Sequence, residues 1–475
     1  MVFPIAGGNE SKGYEISNSL RFNDGDSPQL NLANVGTVTN NKIFTYSVWI
    51  KKSSIESANQ SIISAESGNN RSQLLFRSGS NDAIRIVETS DAYSSFNTLL
   101  TTAALFRDPS AWYHIVLSYD STDGTAGDRV KIYVNSVLQT LSGTTADEDF
   151  TTPFNEESYN LDIGHLNNSE FLDGYMSDAH FIDGQALTPT SFGETNDNGV
   201  WIPKKYTGTF GLNGFKLEFK QTGTSTNSSG IGADTSGNDR HFAVSNLAAT
   251  DITEDTCQNN FATLNSIDGS LGSATLSEGN TNFTGANGSS GRSISTIGVT
   301  QGKWYAEFKI KNTHKSRIGI IDEIGYARNN ADNDGVDYDT PNGIIYTYLN
   351  GTDNDTGDNS SSSGVDVTNP SADDILGVAL DADNEKVRFF LNGSALTSDG
   401  DGFTPLQRTG QGLFKFFHVR DGSGSGDDEP NIICNFGNIP STISSPNTDG
   451  KYGKFYYAPP SGFYALCTKR LAEFG

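Results

Sequence analysis

Along most of this chain apolar and polar side chains alternate with a period of two. The clearest stretches are 44–51, 73–77, 83–87, 112–120, 130–135, 214–219, 302–310, 344–349, 387–393 and 413–419. Successive side chains of an extended strand point to opposite faces, so each stretch predicts a strand with one face buried and one wet. One pattern occurs twice. Residues 112–120 lead through a Gly-rich turn into 130–135, and residues 375–381 lead through a polar turn into 387–393. Each reads as an aromatic- and Val/Ile-rich hairpin closed by Asn, a residue that tolerates positive φ. Two such units far apart in the chain predict two β-sandwiches in tandem.

The same pattern sets the expected boundaries. A first sandwich spans 20–203, a loop-rich bridge with one or two strands spans 204–270, and a second sandwich spans 271–475. Ahead of them, residues 1–19 open with Phe3-Pro4-Ile5 and then Gly7-Gly8, which reads either as a frayed terminus or as a docking peptide. The one weak helical signal is Thr188-Pro189-Thr190-Ser191, with Pro just inside a Thr cap. No heptad or hexapeptide repeat occurs, so no fibrous shaft is expected within the chain.

Composition narrows the class. Hydrophobic residues make up only 35% while Gly numbers 51, which fits thin sandwiches with long polar loops. Aromatics at 11% supply large apolar area and argue against disorder. With 57 acidic against 32 basic residues the net charge is −25, and no Lys/Arg run exceeds two residues, so a nucleic-acid partner is not expected. Cys257, Cys434 and Cys467 are widely spaced and odd in number, which predicts free thiols from a reducing cytoplasm. The first twelve residues lack the basic and apolar regions of a signal peptide, and no apolar run reaches membrane-spanning length.

Candidate chemistry is sparse. The six histidines are scattered, with His114, His180 and His418 inside predicted strands, and neither a Gly-x-Ser-x-Gly elbow nor a His-x-x-x-His pair is present. A non-enzyme is expected. The stretch 230–242 looks superficially like a phosphate loop but lacks the Gly-Lys-Ser/Thr ending. Residues 330–339 begin like an EF-hand loop, with Asp332, Asp334, Asp337 and Asp339 as oxygen ligands. The twelfth position is Pro341 rather than Glu, which leaves a looser Ca²⁺ loop or a solvated acidic loop. Trp49, Trp112 and Trp304 are expected in the core. For a glycan contact, Tyr93, Tyr326, Tyr338 and Tyr452 lie in loop text.

The residues also carry a family resemblance. Through 44–50, 112–120, 130–135, 163–164 and 174–183 the first sandwich resembles the LamG-like (concanavalin A-like) jelly roll. Through 302–308, 318–320, 377–381, 387–393 and 435–437 the second resembles the SPRY sandwich. The whole string is similar to virion proteins of bacteriophages of aquatic bacteria, at Gly13-Tyr14-Glu15-Ile16, Leu20-Arg21-Phe22-Asn23, Gly199-Val200-Trp201-Ile202-Pro203-Lys204, Asn259-Asn260-Phe261-Ala262-Thr263-Leu264-Asn265 and Pro460-Ser461-Gly462-Phe463-Tyr464-Ala465-Leu466-Cys467. The resemblance implies an all-β fold of two tandem antiparallel jelly-roll sandwiches, and a surface-exposed structural protein of the tail-fibre or appendage type. A capsid decoration protein is the alternative, which the missing shaft repeats favour. The expected partners are other virion proteins, docked through Phe3, Pro4 and Ile5, and a host-surface glycan. A homo-oligomer suits attachment to a virion, a trimer among the choices.

Overall fold

The computed structural model describes the chain except for residues 1–12, 34–35, 56–57, 69, 80–81, 91–94, 158, 288–290, 324–334, 341, 348–364, 397–403, 406–412, 423–428 and 440. Its regular structure is nearly all β, and it divides into two units, Gly8–Gln258 and, for the second, Asn259–Gly475.

The first unit packs two antiparallel sheets face to face. Sheet A runs in the order Val137–Leu138, Val130–Val134, Trp112–Asp120, Ile43–Lys52, Gly174–Asp183, Ser19–Phe22, Ile252–Thr253, with Phe215–Leu217 also paired to Gly174–Asp183. Sheet B runs Leu141–Thr144, Ser95–Thr102, Ile84–Ser90, Asn70–Phe76, Gln60–Ser67, Asn160–Ile163, Gln29–Leu32, Ala243–Ser245. Alternate residues of both sheets, among them Phe44, Tyr46, Ile63, Leu74, Ile86, Ile115, Leu117 and Phe181, form one buried core. Within it Phe44 stacks on Tyr119 at 5.0 Å and on Phe181 at 5.2 Å, pairs that add roughly 0.5–1.5 kcal/mol each beyond area burial.

In the second unit sheet C runs Thr275–Ser277, Asn282–Thr284, Asn431–Asn435, Lys303–Ile310, Ile375–Asp381, Lys386–Leu391, Ser394–Ala395. Sheet D faces it in the order Arg292–Ile294, Lys415–Asp421, Ser316–Asp322, Gly335–Thr340, Ile344–Thr347, Val365–Asp366. Trp304, Phe308, Ile318, Ile320, Val378, Phe389 and Phe417 lie between them.

The repeated hairpin is present in both units with the same closure. Asn135 and Ser136 take φ of 47° and 67°, and Asn392 and Gly393 take 49° and 78°, so each second strand turns tightly into a short edge strand. The Asn side chain then accepts the backbone N–H of the first strand, His114 at 2.8 Å for Asn135 and Ile375 at 3.0 Å for Asn392. A motif read from sequence periodicity thus extends to an individual hydrogen bond.

Three expectations need correction, and one element goes unread in the sequence. The stretch 204–270 is not a bridge. Phe215–Leu217, Ala243–Ser245 and Ile252–Thr253 pair within the first unit, and the division falls at 258/259. Strands of two or three residues carry too little periodicity to be assigned to a sheet from sequence. The segment assigned to docking is partly structural, since Ile16 and Ser19 are buried in the first unit. Trp49 and Trp112 are buried, but on the outer face of sheet A with Ile16, Tyr175 and Cys257 rather than between the sheets. The C-terminal helix Thr468–Phe474 is not legible in the sequence because seven residues give less than two helical periods; its Arg470 is bound to Asp449 at 2.7 Å.

Candidate functional site

The two faces of the first sandwich differ in what covers them. The outer face of sheet A is packed under connecting segments, with Trp49, Trp112 and Tyr175 in one cluster and Val116, Ile182 and Phe192 in another. It also holds an arrangement that looks catalytic, Ser47 Oγ at 2.9 Å from His114 Nε2. The Trp201 indole, which can only donate, gives its N–H to His114 Nδ1 at 3.0 Å. That bond fixes the tautomer: Nδ1 accepts, Nε2 carries the proton and donates to Ser47. The ring is buried against Trp49 at 4.7 Å, and burial, with His180 adding to it, pushes its pKa down to about 3. A histidine whose lone pair is already filled cannot take the serine proton, so this pair is structural.

Sheet B presents a different outer surface. Ile63, Ala65, Leu74, Phe76, Ile84, Ile86, Leu161 and Leu30 point into the core, so the residues between them point outward. The register aligns these in rows. Asn31, Asp162, Ser64, Gln73 and Val87 lie side by side, and Glu66, Arg71, Thr89 and Phe96 form the next row. The loop 164–172 folds over one end of this face and locks its polar groups. Gln73 Nε2 donates to Glu170 at 2.6 Å, Asn59 Nδ2 to the same carboxylate at 3.1 Å, and Ser64 Oγ to the His165 carbonyl at 2.7 Å. Asn31 Nδ2 donates to Asp162 at 2.5 Å and Gln29 Nε2 to Asn168 at 2.7 Å. The result is a set of amides and carboxylates held in fixed orientation.

Several groups on this face have hydrogen-bonding capacity left over. Both ring nitrogens of His165, Thr89 Oγ1 and Asn97 Oδ1 are buried without a partner. The nearer approach of His165 to Asp162 is 3.6 Å, too long for a hydrogen bond. Burial pushes the His165 pKa down to about 4 and that of Asp162 up to about 6, the latter against the Asn31 contact, so near neutrality the imidazole is uncharged beside a carboxylate. Beside Thr89 stands Phe96, 48% exposed, an aromatic ring open to solvent. Strict alternation with Thr98 and Leu100 would bury Phe96. A register shift at Glu88/Thr89 leaves Asn97 as the extra residue and turns Phe96 outward. That bulge hides Phe96 from a reading of alternation, because nothing in the local sequence announces it.

One further carboxylate lies inside the first sandwich. Glu88 accepts from Ser72, Thr98, Thr152 and Tyr119 at 2.5–3.0 Å, and burial raises its pKa. It is enclosed between the sheets and fully satisfied, an internal strut.

The residues singled out in the sequence are distributed otherwise. Phe3, Pro4, Ile5, Tyr93, Tyr326, Asp332 and Asp334 lie outside the described residues. Asp337 and Asp339 sit in the strand Gly335–Thr340 rather than in a loop, and each has a partner, His418 Nε2 at 2.6 Å and Arg317 at 3.4 Å. Among the described residues no group of three His, Cys, Asp or Glu side chains is placed to hold a metal ion. Tyr338 is fully buried between the sheets, its hydroxyl donating to the Thr368 carbonyl at 2.8 Å, because alternation puts it in phase with Val336. The Tyr452 ring is half-buried and already covered by Lys451, Lys469 and Arg470 at 4.8–5.5 Å. No helix among the described residues is long and apolar enough to cross a membrane.

Comparison with known proteins bears on the first unit most directly. The concanavalin A-like lectin/glucanases superfamily matches residues 24–191, which hold most of both sheets A and B. The fold is therefore the concanavalin A-like jelly roll there. Among solved structures, a putative carbohydrate binding protein from Bacteroides ovatus is 17% identical, with 49% of this chain and 59% of that one covered at a TM-score of 0.34. The SPRY domain of human HERC1 is 14% identical over 34% of this chain and 91% of its own, at a TM-score of 0.26. Domains LG4-5 of the mouse laminin α1 chain are 10% identical over 98% of this chain and 91% of theirs, at a TM-score of 0.29. No curated protein matches the chain.

Proposed function

We propose that the first sandwich is a non-catalytic carbohydrate-binding module, with the outer face of sheet B as its binding surface. The observation that carries this reading is the exposed Phe96 ring on a face where half-buried Asn31 and Glu170 are held in fixed orientation by the buried Asp162 and Gln73. A sugar offers hydroxyls, which pair with planar amide and carboxylate groups, and C–H faces, which pack on an aromatic ring. Phe96 and Asn31 stand on paired strands, so little ordering entropy is lost on binding. The superfamily match at 24–191 includes lectins and glucanases alike; the lectin side is supported by the commitment of the Glu170, Asp162 and Glu66 carboxylates to amide donors, from Gln73 and Asn59, Asn31, and Asn167. Binding of the full-length protein to an array of neutral oligosaccharides tests the reading. Phe96→Ala is expected to weaken the bound sugar tenfold or more while the melting temperature holds; Gln73→Ala, which takes the buried donor from Glu170, is expected to weaken it at a cost in melting temperature. Undiminished binding in both variants, or no bound sugar at all, would reject this face.

The setting we propose is an exposed bacteriophage virion protein, assembled in the host cytoplasm, with the glycan belonging to the host surface. Support comes from the resemblance of the sequence landmarks. A tail appendage is the first reading and a head decoration protein the second, the latter favoured by the absence of shaft repeats. Gold-labelled antibody on intact particles separates them: label at the tail is expected, and label spread over the head would make this a decoration protein.

A further inference from the structure

Among the described residues, one side of the first sandwich leaves two sheet edges open together. Val137–Leu138 is an edge strand of sheet A, and Leu141–Thr144 is an edge strand of sheet B. The chain passes from one to the other through Gln139 and Thr140, where the Thr140 carbonyl accepts the Ala103 N–H at 2.9 Å. Val137 is 62% exposed and Leu138 54%; among the described residues no other two large apolar neighbours in sequence are both so open. Leu105, two residues beyond Ala103, is exposed as well, and so are Ser142, Gly143 and Thr144. An edge strand keeps backbone N–H and C=O groups without strand partners, and proteins usually protect it with charge, Pro or a bulge. Charge is missing here. No charged residue occurs in 132–146, nor in 95–106, which holds the neighbouring strand Ser95–Thr102. The opposite edge of sheet A, Ile252–Thr253, is flanked by Asp251 and Glu254.

The repeated hairpin supplies an internal control. After Asn135-Ser136 the first unit places Val137 opposite Val134 and Leu138 opposite Tyr133. After Asn392-Gly393 the second places Ser394 opposite Leu391 and Ala395 opposite Phe390, in the same register. Both pairs are exposed, so closing the hairpin does not require apolar side chains at these positions. Val137 and Leu138 gain only when another surface covers them.

We propose that this edge, Val137–Leu138 with Leu141–Thr144, is a self-association surface on which a second copy of the chain docks across a two-fold axis. Charge selects the occupant. A basic partner would be drawn to the acidic surface of a chain with net charge −25. A second copy brings the same net charge and approaches closely only where charge is missing. A two-fold axis sets identical strands antiparallel, so each edge offers the other the backbone groups that it lacks, and Val137 and Leu138 of both copies are buried together. The surface makes no use of Phe96, Asn31 or Glu170.

Sedimentation equilibrium of the full-length protein, without sugar, tests the assignment. A species of twice the 51.0 kDa chain mass is expected, and rising salt, which screens the repulsion between copies, should tighten it. Val137→Lys with Leu138→Lys sets like charges in the contact and should weaken the dimer at least tenfold. Val137→Ser with Leu138→Ala copies the pair that the second unit tolerates, so the fold is kept and the dimer should weaken there too. Ser394→Lys with Ala395→Lys, at the matching edge of the second unit, should leave it unchanged. Hydrogen exchange should show residues 137–144 better protected in the dimer than in the V137S/L138A variant. A monomer at every salt concentration, a trimer, or a dimer indifferent to both pairs of substitutions at 137 and 138 would overturn the surface. Because no sugar is present, failure here leaves the sheet B reading standing, and Phe96→Ala, which tests that reading, must leave the dimer intact.

Discussion

The two sandwiches share a hairpin and differ in what they do with the sheet face that the core does not use. In the first, the outward positions of sheet B are amides, hydroxyls and carboxylates that hold one another at 2.5–3.1 Å. In the second, the outward positions of sheet D gather three arginines in one row. Core-facing positions in both are the same mixture of Phe, Ile, Leu and Val. The contrast teaches that the fold constrains alternate residues only. The other half of each strand is free to carry other chemistry, amides and carboxylates on sheet B and arginines beside aspartates on sheet D.

The contrast extends to buried ionisable groups, which gives the largest expected effect. In the first unit His114 is held neutral when folded, its pKa pushed down to about 3. Its contribution to stability is complete above the unfolded value near 6.5 and is lost as pH falls toward 3. In the second unit Glu307 accepts the Tyr456 and Tyr457 amides at 2.7 and 2.8 Å, yet burial pushes its pKa up to about 7. Its contribution is complete below about 4.5 and is lost as pH rises through 7. His114→Gln should therefore flatten the acid limb of the first unit, and Glu307→Gln the limb between pH 4.5 and 7 of the second. The upper bounds are about 5 kcal/mol for His114 and about 3 kcal/mol for Glu307 across their windows. Hydrogen exchange read by mass spectrometry at several pH values reports the units separately. A limb unchanged by its own substitution would show that another group sets it.

A smaller effect probes what the units have in common. Asn135→Ala and Asn392→Ala each place alanine at positive φ and remove the bond to the preceding strand. Each should cost about 1–2 kcal/mol, and the two costs should agree within about 0.5 kcal/mol. Urea denaturation measures both. A silent substitution in one unit would break the equivalence of the hairpins.

Much of the architecture is legible in the sequence. Long strands such as Ile43–Lys52, Trp112–Asp120 and Lys303–Ile310 advertise themselves because eight or more alternating residues do not fit a helical period. Short pieces do not. Ile252–Thr253 and Ala243–Ser245 are strands only because a longer neighbour offers them hydrogen bonds. Tyr338 reads as loop because its acidic neighbours disguise a strand whose outward residues are aspartates. On these outer faces, the individual residues are visible in the sequence and their company is not. Arg292, Arg317 and Arg420 are isolated along the chain, and Gln73 gives no hint of Glu170.

By itself the sequence determined the period-two pattern, and with it the all-β class, the two units and the paired hairpins. These follow from relations between residues two apart, which are written into the order of the chain. Only the tertiary structure decided which outward residues meet. Cross-strand neighbours such as Arg317 and Arg420 lie far apart in the chain, and a single bulge at Asn97 inverts the direction of Phe96. Register is a property of paired strands rather than of either one, so the chemistry of these faces comes into being only when the sheets form.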